Sequence, residues 1–546
     1  MADVPPLYVI PPNEKLPAGG PAEVGNKAFN LMRMADAGLP VPPGFVLPAG
    51  WCALPRDTDA IADALRAALA KGINHIEAAT GLGFGSERRP LLLSVRSGAA
   101  LSMPGMMETV LDIGLNTETV EGLIRLTGNP PLAWDSFRRL VQGFAEVVAA
   151  LAVAPFDALV RDALVSAGVD SERELDHRTL RDLTHLMLRC YQDLANEPFP
   201  ADPRTQLARA VEAVFRSWDA PKARSFRALK GISGDMGTAV TIQTMVYGNA
   251  GGKSGAGVGF TRNPATGERE FYFDFQFNSQ GEDVVAGRQV PRDNERLRLT
   301  LPQIWTRLEL SCHELELLFG DAQDFEFTVQ SGTLYFLQTR HAKRTPWAAV
   351  RIAVDMVEEG ICQPAEALAR LAEIDLALAI RTHFAPPMPS PLAIAQVAGI
   401  GVACGAIALD AAAAQRMAAA GQKVILVRPE TSTADIEGLA AAEGVVTATG
   451  GRTSHAAVVA RQLAKVCLVS CPGLTVDLEG RSVRIGDRTF AEGELLSIDG
   501  NDGAVYPGRL KVVTERPERE LAVIEGWRTA AEPRRHARRT KARVGT

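Results

Sequence analysis

The spacing of apolar residues changes along the chain and divides it into regions of different secondary structure. Residues 91 to 114 predict a buried strand, a loop rich in Gly, Ser, Met and Pro, and a second apolar segment. Between 119 and 217, apolar residues recur every three or four positions, as in FRRLVQGFAEVVAALAV, which predicts helices. From 238 to 340, short β-prone segments are separated by Gly, Asn and Pro, which predicts strands.

The second half of the chain changes character again. Residues 346 to 380 predict helices with a break near Gly360, and the proline-rich APPMPSP follows at 385 to 391 as a linker or hinge. From 392 to 510, Gly-rich turns alternate with strands such as KVILVR and helices such as TADIEGLAAA. This alternation is typical of a small layered domain.

Composition and charge exclude several classes of protein. The 546 residues are 46% hydrophobic and 22% charged, as in folded globular proteins, and the net charge of −6 argues against a general nucleic-acid binder. We interpret the basic residues 534 to 543 as a solvated, disordered tail rather than a binding arm. The seven cysteines lack zinc spacing and read as reduced thiols, and no signal peptide or membrane-spanning stretch is present, so we expect a cytoplasmic protein.

Two carboxylates alternate with phenylalanines in QDFEFTVQSGTLYFLQTR. Asp324 and Glu326 therefore project from one face of a strand, while the phenyl rings enter the core. If the strand continues into a hairpin, Gln338 and Arg340 join that face. Two carboxylates and an amide oxygen suit a magnesium ion held by a triphosphate, and the arginine can stabilise developing charge. An ordinary structural charge cluster is the alternative.

The shared face depends on the register of this hairpin. We predict a three-residue loop at 330 to 332, in which the glycine takes the positive φ. Val329 then pairs with Thr333, and Asp324 lies opposite Gln338.

Two basic residues add a candidate phosphate site. Lys27 precedes a helical run whose N-terminal dipole would attract an anion. Arg96 leaves a buried strand and enters the loop of SVRSGAALSMPGMM, which can expose backbone N–H groups to a phosphate chain. Each residue alone is compatible with an ordinary surface charge.

The strand AVTIQTMVYG is a candidate contact for adenine. It contains Gln243, Met245 and Val246, and a strand edge beside a methionine could receive the base. Its spacing is equally consistent with a core strand.

The segment GGRTSHAAVVARQLAK places His455 in the first turn of a predicted helix. Thr453 or Ser454 could cap that helix. An apolar stripe would anchor it, formed by Ala456, Val459, Ala460 and Leu463. A histidine at a helix start is usually a solvated or core residue. Here, off the stripe and among small residues, the imidazole could carry a phosphoryl group that the helix terminus stabilises.

These motifs resemble those of the pyruvate phosphate dikinase family, from Pro21 to Pro507. The matching strings are SVRSGAALSMPGMMETV, GTAVTIQTMVYGN, GVGFTRNPATGE, NSQGEDVVAG, DFEF, LQTR, LVRPETS, GGRTSHAAVVAR and FAEGELLSIDG. The resemblance implies a multidomain α+β and α/β protein with an ATP-grasp nucleotide domain and a swivelling phosphohistidine domain. The expected boundaries are 1–237 for the N-terminal ATP-grasp part, with a helical subdomain at about 119–217, 238–345 for the C-terminal part, 346–391 for a helical hinge, 392–512 for the phosphohistidine domain and 513–546 for a basic tail.

The resemblance also implies a phosphotransferase that uses ATP, orthophosphate and magnesium. His455 would take the pyrophosphoryl group of ATP, and orthophosphate would remove the γ-phosphoryl to leave phosphohistidine. The implied catalytic residues are His455, Arg96, Lys27 and Arg340; the nucleotide-binding residues are Lys27, Arg96, Gln243, Met245, Val246, Asp324, Glu326 and Gln338; the magnesium ligands are Asp324, Glu326 and Gln338. A monovalent cation and a homodimer are compatible with this interpretation.

The sequence departs from the family in three respects, the first of which is that VGNKAFN replaces a more glycine-rich opening. Family members continue into a (β/α)8 barrel that binds phosphoenolpyruvate or pyruvate, whereas about thirty residues follow the histidine domain here. We therefore expect the phosphoryl group to pass to pyruvate or another acceptor on a separate barrel protein. Asp274 also stands where relatives commonly have glutamate. The alternative is an ATP-binding regulatory protein that has lost turnover.

Overall fold

The computed structural model describes residues 4–12, 16–54, 58–101, 108–281, 293–430, 435–450, 460, 463 and 465–543. The helices are α1 Pro21–Val24, α2 Asn26–Asp36, α3 Asp59–Thr80, α4 Thr119–Thr127, α5 Pro130–Val147, α6 Ala154–Ala167, α7 His177–Ala195, α8 Pro203–Ser217, α9 Pro221–Lys230, α10 Asp293–Thr300, α11 Pro302–Phe319, α12 Pro346–Glu358, α13 Pro364–Leu371, α14 Ala411–Ala419, α15 Ile436–Ala441 and α16 Glu518–Arg543. Short 3-10 helices span Ala49–Ala53, Glu172–Glu174, Gly234–Met236 and Leu376–Leu378.

The strands complete a mixed α+β architecture with several sheets. They are β1 Tyr8–Ile10, β2 Gly44–Leu47, β3 Leu93–Gly98, β4 Thr109–Ile113, β5 Ala239–Thr244, β6 Gly255–Phe260, β7 Tyr272–Phe277, β8 Gln323–Gln330, β9 Thr333–His341, β10 Arg381–Phe384, β11 Ala393–Ile394, β12 Gln396–Gly399, β13 Val402–Ala408, β14 Val424–Arg428, β15 Gly444–Thr447, β16 Val466–Val469, β17 Leu474–Asp477, β18 Ser482–Ile485, β19 Arg488–Ala491, β20 Leu495–Asp499, β21 Ala504–Pro507 and β22 Val512–Glu515. The predicted helices between 119 and 217 are confirmed. The strands predicted between 238 and 340 are present as β5 to β9, but the prediction missed α10 and α11 within that range, although Ile304, Leu308 and Leu315 recur there at helical spacing.

Several helices begin where the sequence places a capping residue. The side chains of Asn129, Asp176 and Asp202 accept hydrogen bonds from backbone N–H groups in the first turns of α5, α7 and α8. Proline follows directly in α5 and α8, where its missing N–H would have had no partner within the helix. The spacing of apolar residues predicted the helical region, and these capping residues mark where three of its helices begin.

The first sheet is antiparallel, with strand order β1-β2-β5-β3-β4. One face carries Phe45, Val95, Val240 and Ile242 into a core shared with helices α3 to α8. The helical region at 119–217 therefore packs directly onto this sheet and shares its core. The opposite face packs Ile10, Val46 and Ala239 against α2, and it also carries polar residues, among them Arg96 and Gln243.

The second sheet, with order β7-β6-β8-β9, is also antiparallel and buries one face of phenylalanines. Strand β6 alternates glycines because its neighbours fill the space above it. A Cβ on Gly257 would lie 2.4 Å from the ring of Phe327, and one on Gly259 would lie 2.6 Å from that of Phe325. The rings pack against α2, α10 and α11, so the other face of the sheet remains available for function.

Residues 346–391, predicted to be a helical linker or hinge, make extensive tertiary contacts. The predicted break near Gly360 is confirmed, since α12 ends at Glu358 and α13 begins at Pro364. The segment predicted to be a basic tail is structured instead: residues 534–543, expected to be disordered, belong to α16, which runs from Glu518 to Arg543. Strand β22 pairs with β10, and Ile524 of α16 is buried against α12 and α13. The apolar residues of this segment, with Leu521 and Trp527, explain the difference because they cover the linker helices.

The remaining residues form a layered unit around an eight-stranded mixed sheet, with order β11-β21-β20-β13-β14-β15-β16-β12. Its central strands β13 to β16 are parallel. The strands β17 to β19 cover one face, and helices α14 and α15 cover the other. Within the described residues, no helix combines the length and the apolar character needed to cross a membrane.

Candidate functional site

A cleft with a volume of about 680 Å³ lies between the polar faces of the first two sheets. Seven of the residues singled out in the sequence line it: Lys27, Arg96, Gln243, Met245, Val246, Glu326 and Gln338. Asp324 and Arg340 lie beside it, paired with each other across the β8–β9 hairpin. The structure thus gathers side chains that are more than 300 positions apart in the sequence.

The first side of the cleft, the cationic wall, is formed by Lys27 and Arg96. Lys27 is the second residue of α2, and the backbone N–H of Asn26 donates to the carbonyl of Ala99, 3.1 Å away, just beyond β3. Gly25 makes this approach feasible, because a Cβ there would lie 2.2 Å from the carbonyl oxygen of Gly98. The helix start is therefore held close to the strand that carries Arg96.

Burial of its ammonium, and then neighbouring positive charge, lower the pKa of Lys27. Desolvation in the cleft is the larger cause, although the residue as a whole is exposed to solvent. Arg96 and Arg340 lower this pKa further, whereas Glu326 opposes them. Lys27 is therefore less readily protonated in the ligand-free cleft than in water. An anionic ligand would offset the repulsion between Lys27 and the two arginines.

The segment after β5 closes one end of the cleft. Two backbone hydrogen bonds of 2.9 Å anchor it to the first sheet. The N–H of Met245 donates to the carbonyl of Leu92, and the N–H of Thr244 donates to the carbonyl of Pro43. Within the described residues, the backbone N–H and carbonyl of Val246 have no hydrogen-bond partner. Gln243 is nearly fully buried and donates through Nε2 to the carbonyl of Pro42 at 2.9 Å.

A second cavity of about 620 Å³ borders the same segment from its other side. It shares Thr244, Met245 and Val246 with the cleft, and tyrosines and apolar residues dominate the rest of its lining. Lys, Arg, Asp and Glu are absent from its described lining, in contrast to the cleft. The segment 244–246 thus separates a charged space from an uncharged one.

The predicted register of the β8–β9 hairpin is wrong at both ends. The turn has two residues rather than three, Ser331 and Gly332, both with positive φ, and Gln330 pairs with Thr333. A β-bulge then shifts the register farther along the hairpin, so Glu326 lies opposite Gln338. Each deviation moves the pairing by one residue.

The bulge decides which side chains reach the cleft. Phe336 lies in the phenylalanine core, and strict alternation would return Gln338 to that same face. The extra residue at Leu337 resets the alternation, so both Leu337 and Gln338 line the cleft. Asp324, Glu326, Gln338 and Arg340 therefore share a face as predicted, but the predicted pair of Asp324 with Gln338 is wrong, since Glu326 pairs with Gln338 and Asp324 with Arg340.

The second side of the cleft, the acidic wall, is formed by Asp324, Glu326 and Gln338. Gln338 Nε2 donates to Glu326 Oε1 at 3.2 Å, and Arg340 Nε donates to Asp324 Oδ2 at 2.7 Å. Burial raises the pKa of the Asp324 carboxyl, the neighbouring Glu326 raises it further, and Arg340 and Lys343 oppose the shift. A cation would relieve the repulsion between the two carboxylates.

The acidic wall has the donor set of a magnesium site that also uses ligand phosphates. Gln338 uses its amide nitrogen on Glu326, which leaves its carbonyl oxygen for a metal. Magnesium commonly takes one or two protein carboxylates and completes its octahedron with water and phosphate oxygens. Nowhere in the described part of the chain do three His, Cys, Asp or Glu side chains converge into a metal site. A cation at this wall would therefore depend on the amide and on a bound ligand.

The histidine segment lies largely outside the described residues, and His455 is among those not described. Its framework is described: the segment leaves β15 and returns in β16, which are parallel neighbours. Ser470 Oγ, just after β16, donates to the carbonyl of Gly450 at 2.6 Å. Of the predicted apolar stripe, Ala460 is buried as expected, but Leu463 is 39% exposed and that part of the prediction is wrong.

Other cleft residues were missed by the motif analysis. Ser94 and Thr328 lie two positions from Arg96 and Glu326 and line the same space. The two-residue period of a strand could have identified them. Thr109, Leu111 and Gln280 also line the cleft; Thr109 and Gln280 lie within the matching strings SVRSGAALSMPGMMETV and NSQGEDVVAG, but no residue spacing singled them out.

Comparison with protein families gives two matches along the chain. Residues 59–307 match the model described as the pyruvate phosphate dikinase, AMP/ATP-binding domain. Residues 420–503 match the PEP-utilising enzyme, mobile domain. The first match includes Arg96 and one part of the cleft, and the second includes the histidine segment.

Curated relatives align with nearly the whole chain. Pyruvate, phosphate dikinase of Clostridium symbiosum is 41% identical over 496 residues, which cover 89% of this chain and 56% of that protein. The chloroplastic pyruvate, phosphate dikinase 1 of Zea mays is 41% identical over 92% of this chain and 54% of its own length. The enzyme of Rhizobium meliloti is 39% identical over 95% and 59%. The chain thus spans somewhat more than half the length of the curated relatives it matches.

Proposed function

The chain belongs to the pyruvate phosphate dikinase family, and from this membership and the chemistry of the cleft we propose that it is an ATP-dependent phosphotransferase. Residues 1–237, with a helical subdomain at about 119–217, and residues 238–345 would form an ATP-grasp nucleotide unit around the cleft. Residues 392–512 would form a swivelling carrier unit with His455. The helical linker at 346–391 would join the two units.

We propose that ATP binds with its triphosphate between the two walls of the cleft. Lys27 and Arg96 would donate charge-assisted hydrogen bonds to phosphate oxygens. The base would lie against Met245 and Val246, where the backbone groups of Val246 could recognise it. Gln243 would support this segment through its bond to Pro42.

The acidic wall would hold magnesium through Asp324, Glu326 and Gln338. When bound, the cation would neutralise phosphate charge and orient the β- and γ-phosphates. Arg340, held by Asp324 at the edge of the wall, would stabilise charge that develops on the transferred group.

The proposed chemistry is a displacement followed by a second transfer. The neutral imidazole of His455 would attack the β-phosphorus of ATP, forming an N–P bond as the bond to the α-phosphate oxygen breaks and AMP leaves. Orthophosphate would then attack the γ-phosphorus, releasing pyrophosphate and leaving phosphohistidine. The phosphoryl group would pass to pyruvate or another acceptor bound on a separate chain.

The observation that carries this proposal is the opposition of the two walls across one cleft. A cationic wall alone would suit any anion, and an acidic wall alone would suit any divalent cation. A magnesium–triphosphate complex is one small ligand that offers phosphate oxygens to the cationic wall and a divalent cation to the acidic wall.

The test is to incubate the purified chain with magnesium and ATP labelled at the β-phosphorus, with and without orthophosphate. We expect a protein-bound label that is labile in acid and stable in base, and that is absent from a His455→Ala variant. Unlabelled protein that still binds ATP with magnesium would instead favour a regulatory protein without turnover. Pyruvate added alone should leave the label in place, and its discharge would refute the proposed separate acceptor chain.

A further inference from the structure

The motif RNPATGE, residues 262–268, lies outside the cleft and holds the linker helix α12. It follows β6 and forms a closed turn, in which the N–H of Gly267 donates to the carbonyl of Asn263 at 2.8 Å and that of Asn263 to Glu268 at 2.9 Å. The side chain of Asn263 accepts from the N–H of Ala265 at 2.8 Å, which braces the turn from inside. We call residues 262–268 the socket turn.

The socket turn grips the first turn of α12. The backbone N–H of Thr345, the N-cap residue, donates to the carbonyl of Pro264 at 3.0 Å, and its hydroxyl donates to the carbonyl of Ala265 at 2.8 Å. The same hydroxyl accepts from the N–H of Ala348, so the helix cap and the docking contact are one group. The helix therefore starts at a position that the socket turn sets.

Close packing and charge extend this contact along the helix. Gly267 has a φ of +78°, and a Cβ there would lie 3.1 Å from the carbonyl oxygen of Ala348 and from Cβ of Arg351. Arg351 Nη1 also pairs with Glu268 Oε1 at 3.1 Å. The absent side chain at Gly267 thus allows the turn to lie directly on the helix.

A fully buried arginine holds the other end of α12. Arg262 is 0% exposed; its Nε and Nη2 donate to the carboxylate of Glu316 in α11, and Nη2 also donates to Glu359 at 2.9 Å. Arg269 pairs with the same Glu359 carboxylate at 3.2 Å. Because a buried ion pair is expensive to break from one side, the C-terminal end of α12 is also fixed to the second sheet and its helix.

The far end of the linker has different partners. The carbonyl of Thr382 in β10 accepts from Asn501 Nδ2 at 3.1 Å, and its hydroxyl accepts from the N–H of Val402 at 3.2 Å. Phe384 packs edge-on against Tyr506. The linker is thus bound to the nucleotide unit from 345 to 359 and to the carrier unit from 381 onward.

We propose that the socket turn makes α12 part of the nucleotide unit, so that Arg262, Gly267 and Glu268 are positioning residues for delivery of the carrier histidine. The inference rests on the proposed phosphotransfer. It assigns the RNPATGE motif to mechanical coupling rather than to nucleotide contact. Cys362, Ala367, Leu371 and Ala379 share the buried core of α12. Movement of the carrier unit is then taken up where the chain leaves that core, near residue 380, and where it returns to it between β22 and α16.

The test compares two glycine substitutions with equal backbone strain. Gly267→Ala and Gly421→Ala both place alanine at a φ of +78°, but nothing lies within 4 Å of a Cβ at Gly421. We expect Gly267→Ala to speed amide exchange in residues 346–358 by about tenfold, and Gly421→Ala to leave it unchanged. Phosphorylation of His455 by saturating ATP should slow about fivefold in Gly267→Ala alone, while ATP affinity stays within about twofold.

A second variant distinguishes loss of this contact from general misfolding of Gly267→Ala. Glu359→Gln keeps the size of the side chain but removes the charge that Arg262 and Arg269 hold, and it should change exchange and phosphorylation in the same direction. Equal rates of amide exchange at 346–358 in Gly267→Ala and Gly421→Ala would contradict the proposal that the socket turn holds α12. Faster exchange with an unchanged phosphorylation rate would also overturn the positioning role, because a purely structural contact predicts that result. If wild-type protein binds ATP but takes up no label, the phosphotransfer itself is refuted, independently of the exchange result.

Discussion

The two walls of the cleft differ in how the chain builds them. The acidic wall comes from one hairpin, with Asp324, Glu326 and Gln338 on adjacent strands. The cationic wall joins Lys27 at a helix start to Arg96 in a strand, through contacts of Gly25 and Asn26 with the end of that strand. One wall is a local structure, and the other exists only after distant segments have packed.

The walls also differ in their electrostatic balance. Asp324 has a compensating arginine within its own hairpin, whereas Lys27 has Arg96 and Arg340 as cationic neighbours. Among the described residues that line the cleft, Glu326 is the one carboxylate. One wall is therefore mainly cationic and the other mainly acidic, and the comparison predicts that the two walls respond to different components of the ligand.

The largest expected effect is on the acidic wall. Glu326→Gln removes a charged metal ligand, so we expect phosphorylation of His455 at limiting magnesium to slow by about 100-fold or more. A magnesium titration measures this change, and excess magnesium should recover part of the rate. Glu309→Gln, which removes one charge from the exposed surface of α11, is the control. Equal magnesium dependence in the two variants would contradict the assignment of the acidic wall.

A smaller effect is expected on the cationic wall. Arg96→Met removes a charge-assisted contact to phosphate while keeping a long side chain, so ATP affinity should fall by about 10- to 100-fold. Calorimetric titration with ATP at saturating magnesium measures the loss, and the magnesium dependence should stay close to that of the wild type. The exposed Arg66→Met variant is the charge control. A loss that added magnesium restores would show that the two walls do not act separately.

The smallest expected effect is a pH dependence specific to Lys27. Its pKa is lowered in the free protein, first by burial and then by Arg96, and a bound triphosphate would raise it again. ATP affinity should therefore fall several-fold as the pH rises through the lowered pKa, and binding should take up protons in that window. Calorimetry in buffers of different ionisation enthalpy measures the uptake. Lys27→Met should abolish both effects, and their persistence in that variant would assign them to another group.

Much of the acidic wall was predictable because strand periodicity is a local property. The alternation in QDFEFTVQ places both carboxylates on one face, and the glycine at 332 marks the turn. The turn length and the bulge were missed, since the sequence FLQ contains no residue that compels an extra position. The two errors, each of one residue, add to a shift of two positions, so the same side chains share a face although their partners differ from the prediction.

The cationic wall was predictable only as a set of candidates. Nothing in EVGNKAFN indicates that its helix would begin against the end of β3, because that contact depends on the space between Gly25 and Gly98. The C-terminal helix shows the same dependence on tertiary structure: its basic end suggested a tail, while Ile524 found a core only against α12 and α13.

Periodicity and motif residues in the sequence alone determined most of the elements, the acidic face of the hairpin and the family resemblance. Local backbone preferences and the pattern of side-chain burial are sufficient for these. Only the tertiary structure decided that Lys27 meets Arg96 opposite Glu326, and that the RNPATGE turn meets the linker helix. Such contacts depend on the space left by absent side chains and on the burial of distant segments, and neither is encoded within a few residues.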